Sequence, residues 1–257
     1  TPFNTARIIG PALAAWAIAF GGVVLAFFTG FLLYAVFFFA VLFLRTQHVK
    51  KDRPRGSFLD RLLGGIRQAR AIPIVALAMA ATMFSGFFGR SVVELMPAIN
   101  GALITNGSAQ TLGYLTSAAG AGAILMGLWL ATRRSNTQQM LGYLFGGGII
   151  GGLAVCGMAF AHSVWVLLPL SLISGAAGSL TLVGSQSTIL QTAPKAFQTR
   201  IMALWGAVAF GGMGFGGVAS GIIASIIGLP WTLSLFGLIG ACGSAALWIH
   251  TRRQITG

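Results

Sequence analysis

Arg90 and Glu94 are opposite charges four residues apart inside an otherwise apolar stretch. On an α-helix that spacing sets both side chains on one face, within ion-pair reach. Such a pair either satisfies itself at a membrane boundary or works as a gate in which the carboxylate carries a proton. The other two acids, Asp52 and Asp60, fall in a basic, wet segment, so Glu94 has no partner acid. A second polar group comprises Ser185, Gln186, Ser187, Thr188, Gln191 and Thr192. Facing lipid these groups would be unsatisfied, so they must face protein or water. Gln186 is the best placed to hydrogen-bond a small molecule, and the competing reading is glue between helices. His48, His162 and His250 are solitary, and Cys156 and Cys242 lie within apolar runs, where they read as packing residues. There is no acid pair, no metal-ligand spacing and no phosphate-cradling loop. The sequence therefore implies no enzyme, no metal and no cofactor.

These residues sit in a chain of 257 residues that is 56% hydrophobic and 7% charged, with a mean hydropathy of +0.87. Average soluble domains carry roughly 25% charged residues, so this composition belongs in a bilayer. A formal charge of +13 would suggest nucleic acid in a soluble protein. Here the basic residues flank apolar runs, and lipid head groups are the partners that they fit.

Eight stretches meet the ~20-residue length of a spanning helix: 4–21, 23–44, 71–97, 110–132, 138–160, 164–190, 201–226 and 230–250. Fifteen of the sixteen Lys and Arg residues fall at the first span's start or after the second, fourth, sixth and eighth spans. The alternate loops carry none. Positive loops resist translocation, so the basic side is cytoplasmic and both ends of the chain lie there. Arg90 is the exception. At 1.5 Å per residue it lies about 28 Å along a helix that starts at Ala71, near the outer interface.

Residues 45–70 hold half of the basic residues and divide the chain into two spans (1–44) and six (71–257). Within this connector Ser57 and Asp60 form an N-cap pattern. Phe58, Leu59, Leu62, Leu63 and Ile66 share a face, as in an amphipathic helix lying in the interface. The six later spans divide into three and three, with small-residue runs in the middle span of each half. Inverted three-span repeats are a mark of transporters. Gly212, Gly216, Gly217 and Gly221 make small-xxx-small spacings that bring helix backbones together. So do Gly147 with Gly151 and Gly148 with Gly152. Gly10 and Pro11, followed by Ala14 and Ala15, predict a bend and a tight seam in the first span.

The layout of two spans, a long basic loop and six spans resembles the major facilitator superfamily from its fifth helix to its twelfth. Arg7-Ile-Ile-Gly10-Pro11-Ala-Leu-Ala14-Ala15 resembles the Gly-Pro motif of fifth helices in exporters of that superfamily. Asn4 to Leu13, and Gln186 to Leu204 with Gln191, Pro194 and Arg200-Ile-Met-Ala-Leu204, resemble its enterobactin-exporter-like branch, the transmembrane secretion effectors. The resemblance implies an all-α polytopic protein with eight transmembrane helices, the C-terminal two-thirds of a twelve-helix fold. It implies a monomer in the bacterial inner membrane, with the upstream helices as its missing partner. The activity implied is proton-coupled export of a small amphipathic molecule, siderophore-like or a drug, by rocking of two bundles. The rivals are a broad multidrug antiporter and a truncated membrane scaffold. On this reading Arg90, Glu94, Gln186 and Gln191 lie on the transport pathway or its gates. Arg7 stands at the cytoplasmic mouth as a substrate contact or an interfacial anchor. Thr132 stands where the superfamily's turn between helices eight and nine has an acid, so the usual charge pairing with Arg133 and Arg134 is not available there.

Overall fold

A computed structural model describes residues 17, 24–25, 27–43, 66–104, 107–133, 135–195 and 197–256, with side chains as far as Thr251. All regular structure among them is helical. The expected first span, with Arg7, Gly10 and Pro11, lies outside the described residues except for Ala17, as does the connector up to residue 65. The second expected span is represented by α1, Phe27–Phe43. The last turns of the connector, residues 66–71, are helical.

Six spans follow, long and apolar enough to cross a bilayer. The first is composite: α2 (Pro73–Phe88), a 3-10 segment (Arg90–Leu95) and α3 (Met96–Leu103). The others are α4 (Ala109–Ala131), α5 (Thr137–Met158), α6 (Val164–Thr192), α7 (Gln198–Ile227) and α8 (Leu229–Thr256). Local chemistry sets their ends. Pro73 opens α2, where a missing N–H costs nothing. The Ser108 hydroxyl accepts from the Thr111 N–H at the start of α4. Asn136 and Gln139 form a reciprocal capping box on α5. Gly228, at φ 86°, turns α7 into α8 in a single residue. A side chain there would strain the backbone.

The closest packing pairs are α5 on α6, α4 on α6, α5 on α8 and α7 on α2, with lighter contacts of α2 on α6, α2 on α8 and α7 on α8. Exchanging the first three spans with the last three maps α4 on α6 onto α7 on α2, and α5 on α8 onto itself. That is the pattern expected of two three-span halves. Two apolar clusters close the bundle. One joins Ala69, Val75, Leu141, Ile189 and Ile201 at the end where Arg67, Arg70, Arg133, Lys195 and Arg200 lie. The other joins Val92, Ile99, Leu115, Met158, Leu167 and Leu233 at the end whose turns carry no Lys or Arg. The alternation of charge along the chain is thus an alternation between two ends of one bundle.

Between these clusters the helices meet through glycine. Along α4 and α6 a Cβ on Gly175 would stand 1.8 Å from the Ala119 carbonyl oxygen, and one on Gly122 would stand 1.9 Å from that of Leu172. The Ser179 hydroxyl donates to the Ala123 carbonyl at 2.8 Å across the same contact. Along α2 and α7 a Cβ on Gly216 would meet the Phe87 carbonyl oxygen at 2.3 Å, and one on Gly212 that of Met83 at 2.9 Å. Gly217 approaches Glu94, while Gly221 has no neighbour within 4 Å among the described residues. Gly147, Gly148 and Gly152 likewise seat α5 against α6 and α8. Phe84, Phe87 and Phe88 form an aromatic cluster with Phe236 of α8, with ring centroids 4.8 to 6.0 Å apart.

Candidate functional site

The composite span is the feature that builds a site. Gly89 ends α2, its N–H bonded to the Ser85 carbonyl at 2.9 Å. Pro97 stands at the start of α3 and has no N–H with which to continue a regular ladder. Between them the chain tightens to 3-10 geometry, three residues per turn. Residues four apart are then about 120° apart around the axis rather than neighbours on one face. The α-helical spacing that would align Arg90 with Glu94 therefore does not apply. Arg90 lines a cavity, whereas Glu94 is exposed and lies against Gly217 of α7.

The cavity has a volume of about 210 Å³. One wall is Ala119 of α4 with Ser174, Gly175 and Gly178 of α6; the other is Arg90 and Val93 with Phe210 and Met213 of α7. The first wall is made of small side chains because α4 and α6 touch backbone to backbone behind it. At Gly178 a Cβ would meet none of the described residues within 4 Å. The second wall carries the bulk and the charge. The Arg90 Nη2 donates to the Met213 Sδ at 3.8 Å. Behind Arg90, towards α5, a space of about 10 Å³ adjoins Ser85, Ser174 and Thr181, enough for about one water.

Depth distinguishes this site from an interfacial one. At 1.5 Å per residue Ala119 lies ~15 Å from the start of α4 and ~18 Å from its end. Met213 is ~23 Å from the start of α7 and ~21 Å from its end. Arg90 faces both, so it stands near mid-bundle and not at the outer interface expected from the sequence. The physical reason is length. The span runs on through Leu103, six residues past its expected end at position 97. A cation at that depth costs about 3 kcal/mol or more on an isolated helix, which makes it a functional position unless the fold compensates it.

The glutamines separate. Gln191 is exposed at the basic end, where its Oε1 accepts from the Thr137 hydroxyl at 2.8 Å and its Nε2 donates to the Ser135 carbonyl at 3.2 Å. It ties the end of α6 to the turn between α4 and α5. Gln186 is half-buried one turn further in. Its neighbours are committed to the fold: the Ser185 hydroxyl accepts from the Trp205 Nε1 at 2.9 Å, and the hydroxyls of Thr188 and Thr192 bond to carbonyls of their own helix. In the turn between α4 and α5, the Thr132 hydroxyl donates to the Trp129 carbonyl at 2.7 Å. The Arg133 guanidinium lies 4.9 Å from the centre of the Trp129 ring, and that ring meets Tyr143 edge-on. A cation–aromatic stack thus holds the Arg133 side chain at this turn.

The structure brings Arg90 and Met213 to the cavity and leaves Glu94, Gln186 and Gln191 outside its lining. Ser174, Gly175 and Gly178 were not singled out by sequence reasoning, although Ser174-Gly-Ala-Ala-Gly178 is a visible run of small residues. The break at 89–95 had a signal too, in Gly86, Gly89 and Pro97. No group of three or more His, Cys, Asp or Glu residues that could hold a metal occurs among the described residues.

A family model described as transmembrane secretion effector matches residues 1–254. No curated protein matches the chain.

Proposed function

This chain belongs to the transmembrane secretion effector family of the major facilitator superfamily, and from that membership we propose that it is a secondary active exporter. It carries a small amphipathic molecule, siderophore-like or a drug, outward through the bacterial inner membrane by alternating access, driven by protons. The observation that carries this reading is the cavity. It lies near mid-bundle, at the break in a composite span, between two helix pairs that each join the first three-span half to the second. Transporters bind their substrates at such midplane positions, where discontinuous helices free backbone groups to line a cavity. The positive-inside rule places the basic end in the cytoplasm. Glu94, the only acid among the described residues, is the proton carrier in this reading; it sits four residues beyond Arg90, against α7.

Transport in inverted vesicles containing the intact protein tests this. Glu94→Gln is expected to abolish uptake driven by a pH gradient while leaving substrate binding in place. Unchanged pH-dependent transport would remove Glu94 as the carrier, and absence of gradient-driven uptake in the unsubstituted protein would remove the exporter reading itself. Competition between a siderophore and a dye for the same flux separates a dedicated exporter from a broad antiporter.

A further inference from the structure

Helices α4 and α5 are consecutive, joined by residues 132–136, yet each packs on α6 and scarcely on the other. The strip of α6 that meets α4 holds Gly175 and Ser179, and the strip that meets α5 holds Ala177 and Thr181. Ala176 and Val183, both half-buried, fall between these strips at helical spacing, on the side of α6 away from Ser174 and Gly178. Among the described residues a groove therefore runs between α4 and α5, floored by α6, with its back to the cavity. Its walls are apolar. Leu125 of α4 is 61% exposed, one turn before Trp129 on the same face, and Ile150 of α5 is 44% exposed, two turns after Tyr143 on the same face. At Gly146, between Tyr143 and Ile150, a Cβ would meet none of the described residues within 4 Å. From Trp129 back to Ala118 the wall runs ~16 Å, about one leaflet of a ~30 Å hydrocarbon core.

The groove ends in a cationic cap at the basic end of the bundle. The Trp129 and Tyr143 rings meet edge-on at 5.8 Å, and the Arg133 guanidinium stands 4.9 Å from the centre of the Trp129 ring. Stacking uses the flat face of a guanidinium and none of its five N–H donors. Arg133 is exposed, and Glu94, the only acid among the described residues, belongs to the composite span. Arg134 adds a second positive charge to the turn in sequence. Charge thus selects the occupant of the groove.

We infer that this groove binds one anionic phospholipid from the leaflet at the basic end. The Arg133 donors hold the phosphate, in the bidentate manner of guanidinium–phosphate pairs. The Trp129–Tyr143 pair sits at head-group depth, as interfacial aromatics do, and an acyl chain lies between Leu125 and Ile150. A zwitterionic head group brings its own cation to the cap and binds less well.

Native mass spectrometry of the intact protein in detergent, titrated with phosphatidylglycerol or phosphatidylcholine of the same chain length, tests this. No gradient is applied, so the result stands apart from export. The first phosphatidylglycerol is expected to bind about five-fold more tightly than the first phosphatidylcholine, which is ~1 kcal/mol. Arg133→Gln should remove most of that preference. Arg70→Gln, exposed at the same end, should leave it intact. Gly146→Leu fills the groove and should weaken both lipids at least five-fold, and Leu125→Trp should do the same from the facing wall. Equal affinities overturn the inference, as does a preference that survives Arg133→Gln or falls equally with Arg70→Gln. Glycerol phosphate should not displace the lipid; displacement by it at equal concentration would mean a phosphate site without the groove, and the inference fails. A dimer dispersed by Gly146→Leu would make a second copy the occupant. A preference seen only after Asp52→Asn and Asp60→Asn would make the connector the occupant. Either result overturns the lipid site.

Discussion

Two helix pairs flank the cavity, and glycine makes both possible, but they are built to different tolerances. Between α4 and α6 the missing Cβ of Gly175 would fall 1.8 Å from a backbone oxygen, and Ser179 adds a hydrogen bond across the contact. Between α2 and α7 the corresponding distances are 2.3 Å at Gly216 and 2.9 Å at Gly212. Beside this second contact lie the 3-10 segment and the Met213 thioether, which accepts from Arg90. A backbone-to-backbone contact has no side chain that can yield. Both contacts are of this kind, and the second leaves more room. The difference teaches which wall is held closer. The small, neutral wall is the tighter one, and the wall that carries Arg90 is the looser one.

The largest expected effect breaks the tighter wall. Gly175→Ala should destabilise the protein by about 3 kcal/mol, the upper end of the range for overpacking, read as a fall in unfolding temperature in detergent. A loss equal to that of Gly216→Ala would erase the asymmetry. Gly216→Ala itself should cost about 2 kcal/mol, also through overpacking. Gly221→Ala, on the same helix with no described residue within 4 Å of its Cβ, should stay within about 0.5 kcal/mol. A smaller effect sharpens the dynamic side. Amide exchange in the intact protein should run about ten-fold faster at 89–95 than at 115–123, because 3-10 hydrogen bonds are poorer than α-helical ones. Equal rates would mean that both walls are rigid.

Much of the six-span bundle was legible in the chain. Spans expected at 110–132, 138–160, 164–190, 201–226 and 230–250 are met within a few residues by α4 to α8. Apolar length and terminal Lys or Arg are one-dimensional signals, and a bilayer reads them directly. The first span of the six was legible in existence but not in form. Its hydropathy continues through Gly89 and Pro97, so a window that measures apolarity sees one helix where the backbone changes pitch. That change is what turns Arg90 into the cavity and Glu94 towards Gly217.

The sequence by itself determined the membrane, the turns that share an end of the bundle, and the family. Each follows from residue type and order: burying apolar helix is favourable and moving a cation across lipid is not. Tertiary structure alone decided which glycines touch, where the cavity lies and which charge lines it. Those depend on rotation about helix axes and on depth relative to neighbours. A periodicity near 3.6 leaves both undetermined when every face of a helix is apolar.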